Sequence, residues 1–596
     1  MKPIRELRAP MAARVVQLEP QLILEAMKME HVLPLPAGTR VAEWHVTADE
    51  MVEEGQLLAS LVAASGAHAA ESQTVAEQNS AVRADLQRVI DRHAFTLDEN
   101  RTDAVAKRHA QGGRTARENI ADLCDEGSFS EYGALAIAAQ TRRRSVGDLI
   151  ANTPADGMVT GIGTINAKDF GPEQSRCVVM AYDYTVLAGT QGMRNHAKKD
   201  RMLTLAHELK LPVVLFAEGG GGRPGDVDMP IVAGMNNHTF SQFAALSGVV
   251  PVVGIVHGRC FAGNAALLGC ADVIIATEAS NIGMGGPAMV EGGGLGVFKP
   301  EEIGPSDVQS RSGVIDVLVA DEAEAVHVAK RYLSYFQGSL VQWDCGDPVA
   351  LRNAVPENRL RVYEMRDVMQ GLFDTGSVLE LRAGFGAGMI TALARIEGRA
   401  VGVIANNPKH LGGAIDDEAT DKAARFMQLC DAHGLPIVSL TDTPGFMVGP
   451  DIEERAQVRH ASRMFVVGSH LSVPFFAVVT RKGYGLGAQA MTAGGFDAPV
   501  FTIAWPTGEF GAMGLEGAVK LGFRKELQAA APGAERDALY NKLVAQQYAN
   551  GQAINLAQHL EIDAVIDPAD TRAWLVRGLA SSTRPRARKA RFIDTW

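Results

Sequence analysis

The sequence has few cysteines, and nothing in their spacing suggests a metal site or a disulfide framework. Its six cysteines show no C-x-x-C pair, which fits a reducing compartment. No apolar run approaches the ~18 residues of a membrane span, and the first residues lack the apolar core of a signal peptide. The net charge of −12 argues against nucleic acid as the main partner. We therefore expect a cytoplasmic protein with no metal, membrane or nucleic-acid partner.

The length and the composition indicate several globular domains. A chain of 596 residues is too long for a single core, and its length favours about three to four domains. The apolar content of 46% and the 62 glycines are typical of a tightly turned α/β protein.

The N-terminal segment holds a lysine between two methionines at the tip of a predicted hairpin. Residues 25–30 read Glu-Ala-Met-Lys-Met-Glu and follow the apolar run 22–24. Taken alone, Met-Lys-Met would be explained by an exposed lysine on an amphipathic segment. With its flanking strands, the stretch resembles the attachment site of the biotinyl carrier domain, whose lysine carries biotin as an amide. The resemblance implies that Lys28 carries covalent biotin.

Two further motifs of this segment resemble the same carrier domain, but its first half is short. The motifs are Arg-Ala-Pro-Met at 8–11 and Glu-Gly-Gln at 54–56. In the biotinyl family the strands before and after the lysine have similar lengths. Here 17 residues separate Pro10 from Lys28. We therefore predict a shortened, small all-β biotinyl domain at residues 1–62.

A flexible linker and a helix are predicted after this domain. Residues 63–80 are mostly small or polar and cannot bury a core, which is typical of a linker. From 82 to 110, apolar residues recur near helical spacing among charges, and this pattern predicts one long amphipathic helix.

The remainder of the chain contains an internal repeat. Each half has a helix with a charged start, near Lys199 and near Asp421, and strands that run into glycine-bearing turns. Alternating strands and helices predict two βαβ-type domains of the same fold, at 81–340 and 341–596. The matched segments are 123–129 with 372–378, 159–163 with 390–394, 211–215 with 435–439, and 251–256 with 474–479.

These segments resemble the carboxyltransferase of biotin-dependent acyl-CoA carboxylases, from about residue 82 to 523. The resemblance implies an α/β fold of two tandem crotonase-like (ClpP/crotonase) domains. A carrier followed by a carboxyltransferase is similar to the C-terminal two thirds of the single-chain long-chain acyl-CoA carboxylases. The segments that carry the resemblance are 156–161, 258–265, 442–446, 459–461 and 504–507.

The resemblance implies transfer of a carboxyl group from N1-carboxybiotin to the α carbon of an acyl-CoA in fatty acid metabolism. No ATP-grasp domain is visible, so a separate biotin carboxylase subunit or domain would use ATP and bicarbonate. A biotin protein ligase would load Lys28. The family also implies a hexamer built as a trimer of dimers, with active sites between subunits. A straight-chain acyl group is the first expectation.

The family places one oxyanion hole in each half, at a glycine-rich turn that opens a helix. Single turns of this kind are often ordinary helix caps, but two of them lie at matching places in the repeat. Leu486 departs from the glycine pattern of the second turn. No obvious catalytic dyad is present, in agreement with biotin itself taking the α proton, and His460 is interpreted as structural. The resemblance implies catalytic roles for Ala262, Gly263 and Asn264 (thioester oxygen) and for Gly485, Leu486 and Gly487 (biotin oxygen), and cofactor contacts for Gly219, Gly220, Arg223 and Gly445.

Other functions remain open at this point. The chain could serve a biotin-dependent acyl-CoA decarboxylase, or a carboxylase of branched enoyl-CoA of the methylcrotonyl or geranyl type. The shortened carrier would also suit a scaffold protein that only assembles with others. An ordinary crotonase hydratase or isomerase is the weakest alternative, because it requires neither two fused halves nor a biotin lysine.

Overall fold

A computed structural model of the chain describes residues 5–64, 82–223, 225–228, 236–582 and 592–596. The chain divides into two compact units, Met1–Asp91 and Arg92–Trp596. Residues 65–80 of the predicted linker lie outside the described residues, and its first residue, Ala63, is the last residue of a strand.

The N-terminal unit is a small β structure of two sheets. One sheet has the order β1-β7-β5 and the other has the order β4-β3-β2-β6. Alternating residues of the central strands point inward, and Val15, Leu24 and Leu58 are fully buried between the sheets. Three strands precede Lys28 and four follow it, so the short first half still closes a core. The strands are β1 (Arg5–Arg8), β2 (Ala13–Gln17), β3 (Leu22–Ala26), β4 (Met29–Leu33), β5 (Thr39–Trp44), β6 (Met51–Val52) and β7 (Leu57–Ala63).

The first half of the large unit contains ten strands and eleven helices among the described residues, counting the helix at its boundary. The strands are β8 (Ser130–Glu131), β9 (Met158–Thr164), β10 (Arg176–Tyr182), β11 (Val213–Phe216), β12 (Gly219–Gly220), β13 (Val252–Val256), β14 (Arg259–Phe261), β15 (Val273–Thr277), β16 (Asn281–Gly283) and β17 (Val317–Val319). The helices are α1 (Ala84–Ala94), α2 (Thr102–Ala110), α3 (Ala116–Leu123), α4 (Val146–Asn152), α5 (Ala167–Phe170), α6 (Met193–Leu209), α7 (Thr239–Ala244), α8 (Gly263–Leu268), α9 (Pro287–Gly292), α10 (Ser306–Arg311) and α11 (Glu322–Gln337).

The second half follows the same alternation. Its strands are β18 (Leu379–Leu381), β19 (Met389–Ile396), β20 (Arg399–Asn406), β21 (Ile437–Thr443), β22 (Phe475–Tyr484), β23 (Phe501–Ala504), β24 (Glu509–Gly511) and β25 (Ala564–Val565). Its helices are α12 (Met365–Leu372), α13 (Asp417–His433), α14 (Pro450–Glu453), α15 (Gln457–Ser469), α16 (Gly485–Met491), α17 (Leu515–Gly522), α18 (Arg524–Ala529), α19 (Ala534–Asn550), α20 (Ala553–Gln558) and α21 (Thr571–Ser581).

The two halves have the same sheet topology. The sheet orders are β8-β9-β10-β11-β13-β15-β17 and β18-β19-β20-β21-β22-β23-β25. In each sheet the first three strands pair antiparallel and the remaining strands pair parallel. Helices cover the parallel strands, which explains why β11 and β13 are continuous apolar runs with every residue buried. The repeated segments thus form two copies of one fold.

One of the apolar cores of the large unit is shared by the two halves. Val253 and Ile275 of the first sheet belong to the same buried cluster as Tyr332 of α11 and Met427 of α13. Because this core spans both halves, each half is packed against the other as well as within itself. The turns at the strand ends are therefore held on one continuous framework.

The single long helix predicted for residues 82–110 is wrong. Helix α1 ends at Ala94, a 3₁₀ turn covers Asp98–Asn100, and α2 begins at Thr102. Leu97 is extended (φ −90°, ψ 146°), and the Thr96 hydroxyl donates to the His93 carbonyl at 2.8 Å. Thr96 thus satisfies a carbonyl of the last turn of α1, a break that the spacing of apolar residues does not reveal.

The helices predicted to start near Lys199 and Asp421 begin earlier. They start at Met193 and Asp417, the first residues of α6 and α13. In the second half the Asp416 carboxylate accepts from the Ala419 N–H at 2.9 Å and caps the helix, which fixes the start.

A short 3₁₀ turn precedes each of these helices and lies against the glycine-bearing turn of its half. In the second half this turn is Leu411–Gly413, with φ of 64° at Gly412 and 90° at Gly413. A Cβ on Gly413 would lie 2.2 Å from the Asp442 carbonyl oxygen, whereas a Cβ on Gly412 would meet nothing within 4 Å. The close approach therefore requires glycine at position 413 only.

We expect Gly413→Ala to destabilise the protein more than the matched control Gly412→Ala. Both variants place alanine at positive φ, at a cost of roughly 1–2 kcal/mol each. Gly413→Ala adds a backbone clash, which costs about 1–3 kcal/mol more. The apparent midpoints of urea unfolding, followed by circular dichroism, measure the difference. Equal midpoints for the two variants would contradict the required close approach.

Candidate functional site

A glycine segment borders the first predicted turn. Gly219 and Gly220 form β12, which pairs parallel with β14. Gly219 has φ of 97°, and a Cβ on it would lie 2.6 Å from the carbonyl oxygens of Ala188 and Gly189. A Cβ on Gly221 would lie 3.5 Å from Cβ of Ala262. The segment therefore exposes backbone, without side chains, beside the turn.

The first turn reverses the chain from β14 into α8. Ala262 has φ of 53°, and Gly263 and Asn264 are the first two residues of the helix. N–H groups at this position have no carbonyl partner within a helix. The Ala262 N–H, in contrast, donates to the Gly283 carbonyl at 3.0 Å. The predicted set of three donors is therefore corrected at Ala262. Its N–H is already bonded, and the residue shapes the turn.

The side chain of Asn264 holds the turn from below. It is fully buried, and its Nδ2 donates to the carbonyls of Gly189 (3.1 Å) and Glu218 (2.8 Å). Its Oδ1 accepts from Nε2 of Gln191 at 2.6 Å. Oε1 of Gln191 accepts from Nζ of Lys199 at 2.9 Å, and the same Nζ donates to the Tyr182 hydroxyl at 2.7 Å. Burial lowers the pKa of Lys199 to about 7.

The second turn has the same shape in the second half. Gly485 has φ of 56°, close to that of Ala262, and opens α16. The positive φ thus falls on Gly485, so Leu486 fits the turn with its side chain 63% exposed. A Cβ on Gly487 would lie 2.7 Å from Cα of Gly445. Here the turn and the glycine segment touch directly through their backbones.

A cavity of about 650 Å³ adjoins the second turn. Gly485 and Leu486 lie on one side of it, and Phe496 and Phe510 supply apolar walls. Gln489 adds a polar group on α16. A largely apolar cleft with a few polar groups is the usual form of a small-molecule site.

Each glycine segment follows a buried carboxylate in a close ion pair. In the first half, Arg108 donates to both oxygens of Glu218, at 2.8 and 2.9 Å. In the second half, Asp442 contacts Nη2 of Arg481 at 3.0 Å and Nζ of Lys482 at 2.8 Å. Glu218 stands three residues before Gly221, as Asp442 stands before Gly445. These pairs fix the ends of β11 and β21 at the turns.

Two further residues have structural contacts. Arg223, predicted to contact CoA, is turned inward: its side chain is 4% exposed, pairs with Asp156 and donates to the Thr190 carbonyl at 2.9 Å. We therefore treat Arg223 as a residue that braces the glycine segment. Nδ1 of His460 lies 2.8 Å from Oδ2 of Asp421, in agreement with a structural role.

In the N-terminal unit, Lys28 lies at the tip of the hairpin between β3 and β4. Ala26 pairs with Met29, so Met27 and Lys28 form a two-residue turn. Their φ values are 53° and 65°, the left-handed conformation that a type I′ turn requires. Met27 is 97% exposed, and Lys28 is exposed and forms no ion pair with any described residue. The lysine amine is thus presented to solvent.

Within the described ranges, no group of three or more His, Cys, Asp or Glu side chains is placed to hold a metal ion. No described helix is both long and apolar enough to cross a membrane.

The sequence did not single out Gln191, Asn264's side chain or Lys199 as parts of the site. The repeat contained a signal for them. Gln191 bridges to Gly222 as Ile415 bridges to Phe446, so a polar residue in one half stands where the other half has an apolar one. A polar residue at a position that is apolar in the other half indicates that the sites of the two halves differ in function.

Known proteins resemble this chain over most of its length. Residues 107–593 match the family described as carboxyl transferase domain. The methylmalonyl-CoA carboxyltransferase 12S subunit of Propionibacterium freudenreichii subsp. shermanii is 33% identical over 503 residues, covering 82% of this chain and 93% of that protein. The propionyl-CoA carboxylase beta chain of Saccharopolyspora erythraea is 32% identical over 502 residues, covering 80% and 89%.

A solved structure of a single-chain, multi-domain long-chain acyl-CoA carboxylase is also similar. It is 56% identical with a TM-score of 0.81, and the match covers 96% of this chain. The match covers 56% of that carboxylase, so this chain spans little more than half its length. The predicted α/β fold of two crotonase-like halves is confirmed. The chain belongs to the carboxyl transferase family, and the acyl-CoA carboxyltransferase predicted from its sequence is confirmed.

Proposed function

We propose that this chain transfers a carboxyl group from biotin to the α carbon of an acyl-CoA, with the biotin carried on its own Lys28. The observation that supports the division of labour is the pair of matched turns, each with a positive-φ residue that opens a helix. Ala262 and Gly485 hold these places in the two halves. A straight-chain acyl-CoA is the favoured substrate, because the long-chain carboxylase has the higher identity.

The first turn binds the thioester of the acyl-CoA. Removal of the α proton places negative charge on the thioester oxygen, and the N–H groups of Gly263 and Asn264 point from a helix N-terminus. One oriented donor of this kind contributes roughly 3–4 kcal/mol to the transition state. Gly220 lets the substrate approach the backbone closely, because a Cβ there would meet nothing within 4 Å, and Gly219 holds this backbone against the 3₁₀ turn.

The second turn binds biotin, which supplies the carboxyl group and the ureido oxygen in this chemistry. The residues present fit such a group. Gly485, Leu486 and Gly487 offer the N–H groups of a helix N-terminus, and the adjoining apolar cavity has room for a small ring system. Gly445 supports the turn through its contact with Gly487. The chain thus orients an oxygen acceptor beside the apolar walls of the cavity.

The carrier function rests on the hairpin of Lys28. An exposed amine at a tight tip is accessible to a modifying enzyme, and the two flanking strands hold it in one place. We assign its loading to a biotin protein ligase. The carboxyl group would come from a biotin carboxylase subunit or domain that uses ATP and bicarbonate, in the cytoplasm.

A homo-hexamer is the proposed assembly, since carboxyl transferase sites in the resembling family lie between subunits. An exposed apolar segment at residues 284–298 supports an interface in the first half. Its large exposed side chains are Met284, Met289, Leu295, Val297 and Phe298. Such concentrations of apolar surface are typical of protein contacts.

We expect the chain purified from its own host to carry the mass of one biotinyl group, and Lys28→Arg to lack it. Arginine keeps the positive charge at the tip but offers no amine for the amide bond. Intact mass spectrometry of both proteins makes the comparison. A wild-type chain of unmodified mass would show that the carboxyltransferase receives biotin from another protein.

The two turns should be separable by Gly487→Ala. Its Cβ would lie 2.7 Å from Cα of Gly445 and would displace the second turn. We expect kcat/KM for free biotin, as acceptor from a carboxylated acyl-CoA, to fall about 100-fold, while acyl-CoA affinity by calorimetry stays constant. Gly522→Ala, where a Cβ meets nothing within 4 Å, is the matched control. Equal losses for both substrates, or none, would refute the assignment of the second turn to biotin.

Substitution of the apolar segment tests the assembly. We expect Val297→Glu to lower the sedimentation coefficient from that of a hexamer, because the charge would be buried at an interface. Val341→Glu is the control. Val341 is also highly exposed (92%, against 80% for Val297) but lies between the halves of the chain. A hexamer that persists in Val297→Glu would exclude this segment from the interface.

A further inference from the structure

The first turn rests on a buried polar chain that has no counterpart in the second half. The chain runs from Tyr182 through Lys199 and Gln191 to Asn264, and each of these residues is at most 4% exposed. Buried polar side chains carry a desolvation cost and persist where their hydrogen bonds are made. All the contacts in this chain lie between 2.6 and 2.9 Å.

The positions of the second half that correspond to Gln191, Lys199 and Asn264 are apolar or lack a side chain. Ile415 makes the backbone bridge that Gln191 makes in the first half. Ala423, the seventh residue of α13, stands where α6 has Lys199. Gly487 follows the positive-φ residue by two, as Asn264 does. The second half therefore adopts the same fold without the polar chain. This difference points to a function of the chain at the first site only.

When Lys199 is protonated, the donors and acceptors of this chain can be arranged in only one way. The ammonium of Lys199 can only donate, so Gln191 must turn Oε1 toward it and Nε2 toward Asn264. Asn264 must then present Oδ1 to Gln191 and aim Nδ2 at two backbone carbonyls. Lys199 thus fixes the orientation of an amide two residues away in the network.

The end of the chain connects the turn to the glycine segment. Nδ2 of Asn264 donates to the Gly189 and Glu218 carbonyls. Glu218 immediately precedes Gly219, and Gly189 is the residue against which Gly219 packs. The spacing between the helix N-terminus and the glycine segment is therefore set by a side chain, whereas Gly487 and Gly445 set it by direct contact.

We propose that Lys199, Gln191 and Asn264 are positioning residues. They orient the N–H groups of the first turn toward the thioester oxygen of the acyl-CoA. This inference rests on the proposed function, since it names what the first turn must hold. The low dielectric around the buried chain strengthens each hydrogen bond, and each bond polarises the next. Burial also lowers the pKa of Lys199, against the attraction of Asp200 and Asp156.

Two substitutions test the proposal from different directions. Lys199→Met removes the donor that starts the chain. Gln191→Glu keeps an acceptor for Lys199, now a carboxylate, but presents oxygen to Oδ1 of Asn264. Asn264 must then turn Nδ2 toward residue 191 and away from the Gly189 and Glu218 carbonyls. Because Gln191→Glu gains an ion pair with Lys199, we expect the fold to be retained. This variant therefore tests the orientation of the N–H groups of the first turn.

The matched control is Lys198→Met. Lys198 is the neighbouring lysine in α6 and is also buried. Its Nζ donates to the carbonyls of Ala155 and Met158, outside the chain. Loss of this lysine therefore reports the cost of removing a buried amine without changing the first turn.

The readout is the C=O stretch of a ¹³C-labelled acyl-CoA thioester, followed by difference infrared spectroscopy on binding. We expect the wild-type protein and Lys198→Met to lower this frequency equally, and Lys199→Met and Gln191→Glu to lower it less. We also expect kcat to fall about 10- to 100-fold in the latter two, with KM for acyl-CoA little changed. Thermal midpoints of all four proteins report stability separately.

Two results would overturn the inference. A wild-type frequency shift that both Lys199→Met and Gln191→Glu retain would show that the chain is only structural. A wild-type protein that binds no acyl-CoA, or leaves its C=O stretch unchanged, would overturn the proposed function of the first turn and this inference with it. Should Lys199→Met fail to fold, Gln191→Glu decides alone.

Discussion

The structure depends on the close approach of two backbone segments at the carboxyl ends of its parallel strands. In the first half the glycine segment packs against the 3₁₀ turn, and in the second half it packs against the helix-opening turn. Both contacts are so close that a side chain is excluded. A Cβ on Gly219 would lie 2.6 Å from the Ala188 carbonyl oxygen, and a Cβ on Gly487 would lie 2.7 Å from Cα of Gly445. Crevices outside the carboxyl ends of parallel strands are where α/β sheets bind ligands. The constraint on the backbone thus creates the site.

Buried acids stabilise this approach in both halves. Glu218 directly precedes Gly219, and Asp442 stands three residues before Gly445. Their ion pairs link the strand ends to more distant parts of the chain. Arg108 comes from α2 and Arg481 from β22. A buried carboxylate without a partner is strongly destabilising, so these pairs make the turns depend on the surrounding fold. A precise site requires support of this kind from outside its first contacts.

Local patterns in the sequence predicted the duplicated strands and turns, because buried parallel strands read as apolar runs and the turns as glycine clusters. The split between α1 and α2 was missed, since the apolar spacing continues across Leu97. The bonded N–H of Ala262 and the inward orientation of the Arg223 side chain were not predicted. Both depend on partners that are distant in the chain. The buried chain under Asn264 was missed for the same reason. Its members lie on different elements, Tyr182 on β10, Lys199 on α6 and Asn264 on α8, and no local pattern shows that these meet.

The hairpin of Lys28 contains residues that its turn type does not favour. Two-residue turns of its type favour asparagine and glycine, because both central residues need positive φ. Met27 and Lys28 take this conformation instead, at a cost of roughly 1–2 kcal/mol per residue. The buried core around Val15 and Leu24 holds the strands in register and sustains the strained tip. Glycine in place of Lys28 would relieve the strain but remove the amine, so the chain retains strain at the position that the proposed carrier function uses.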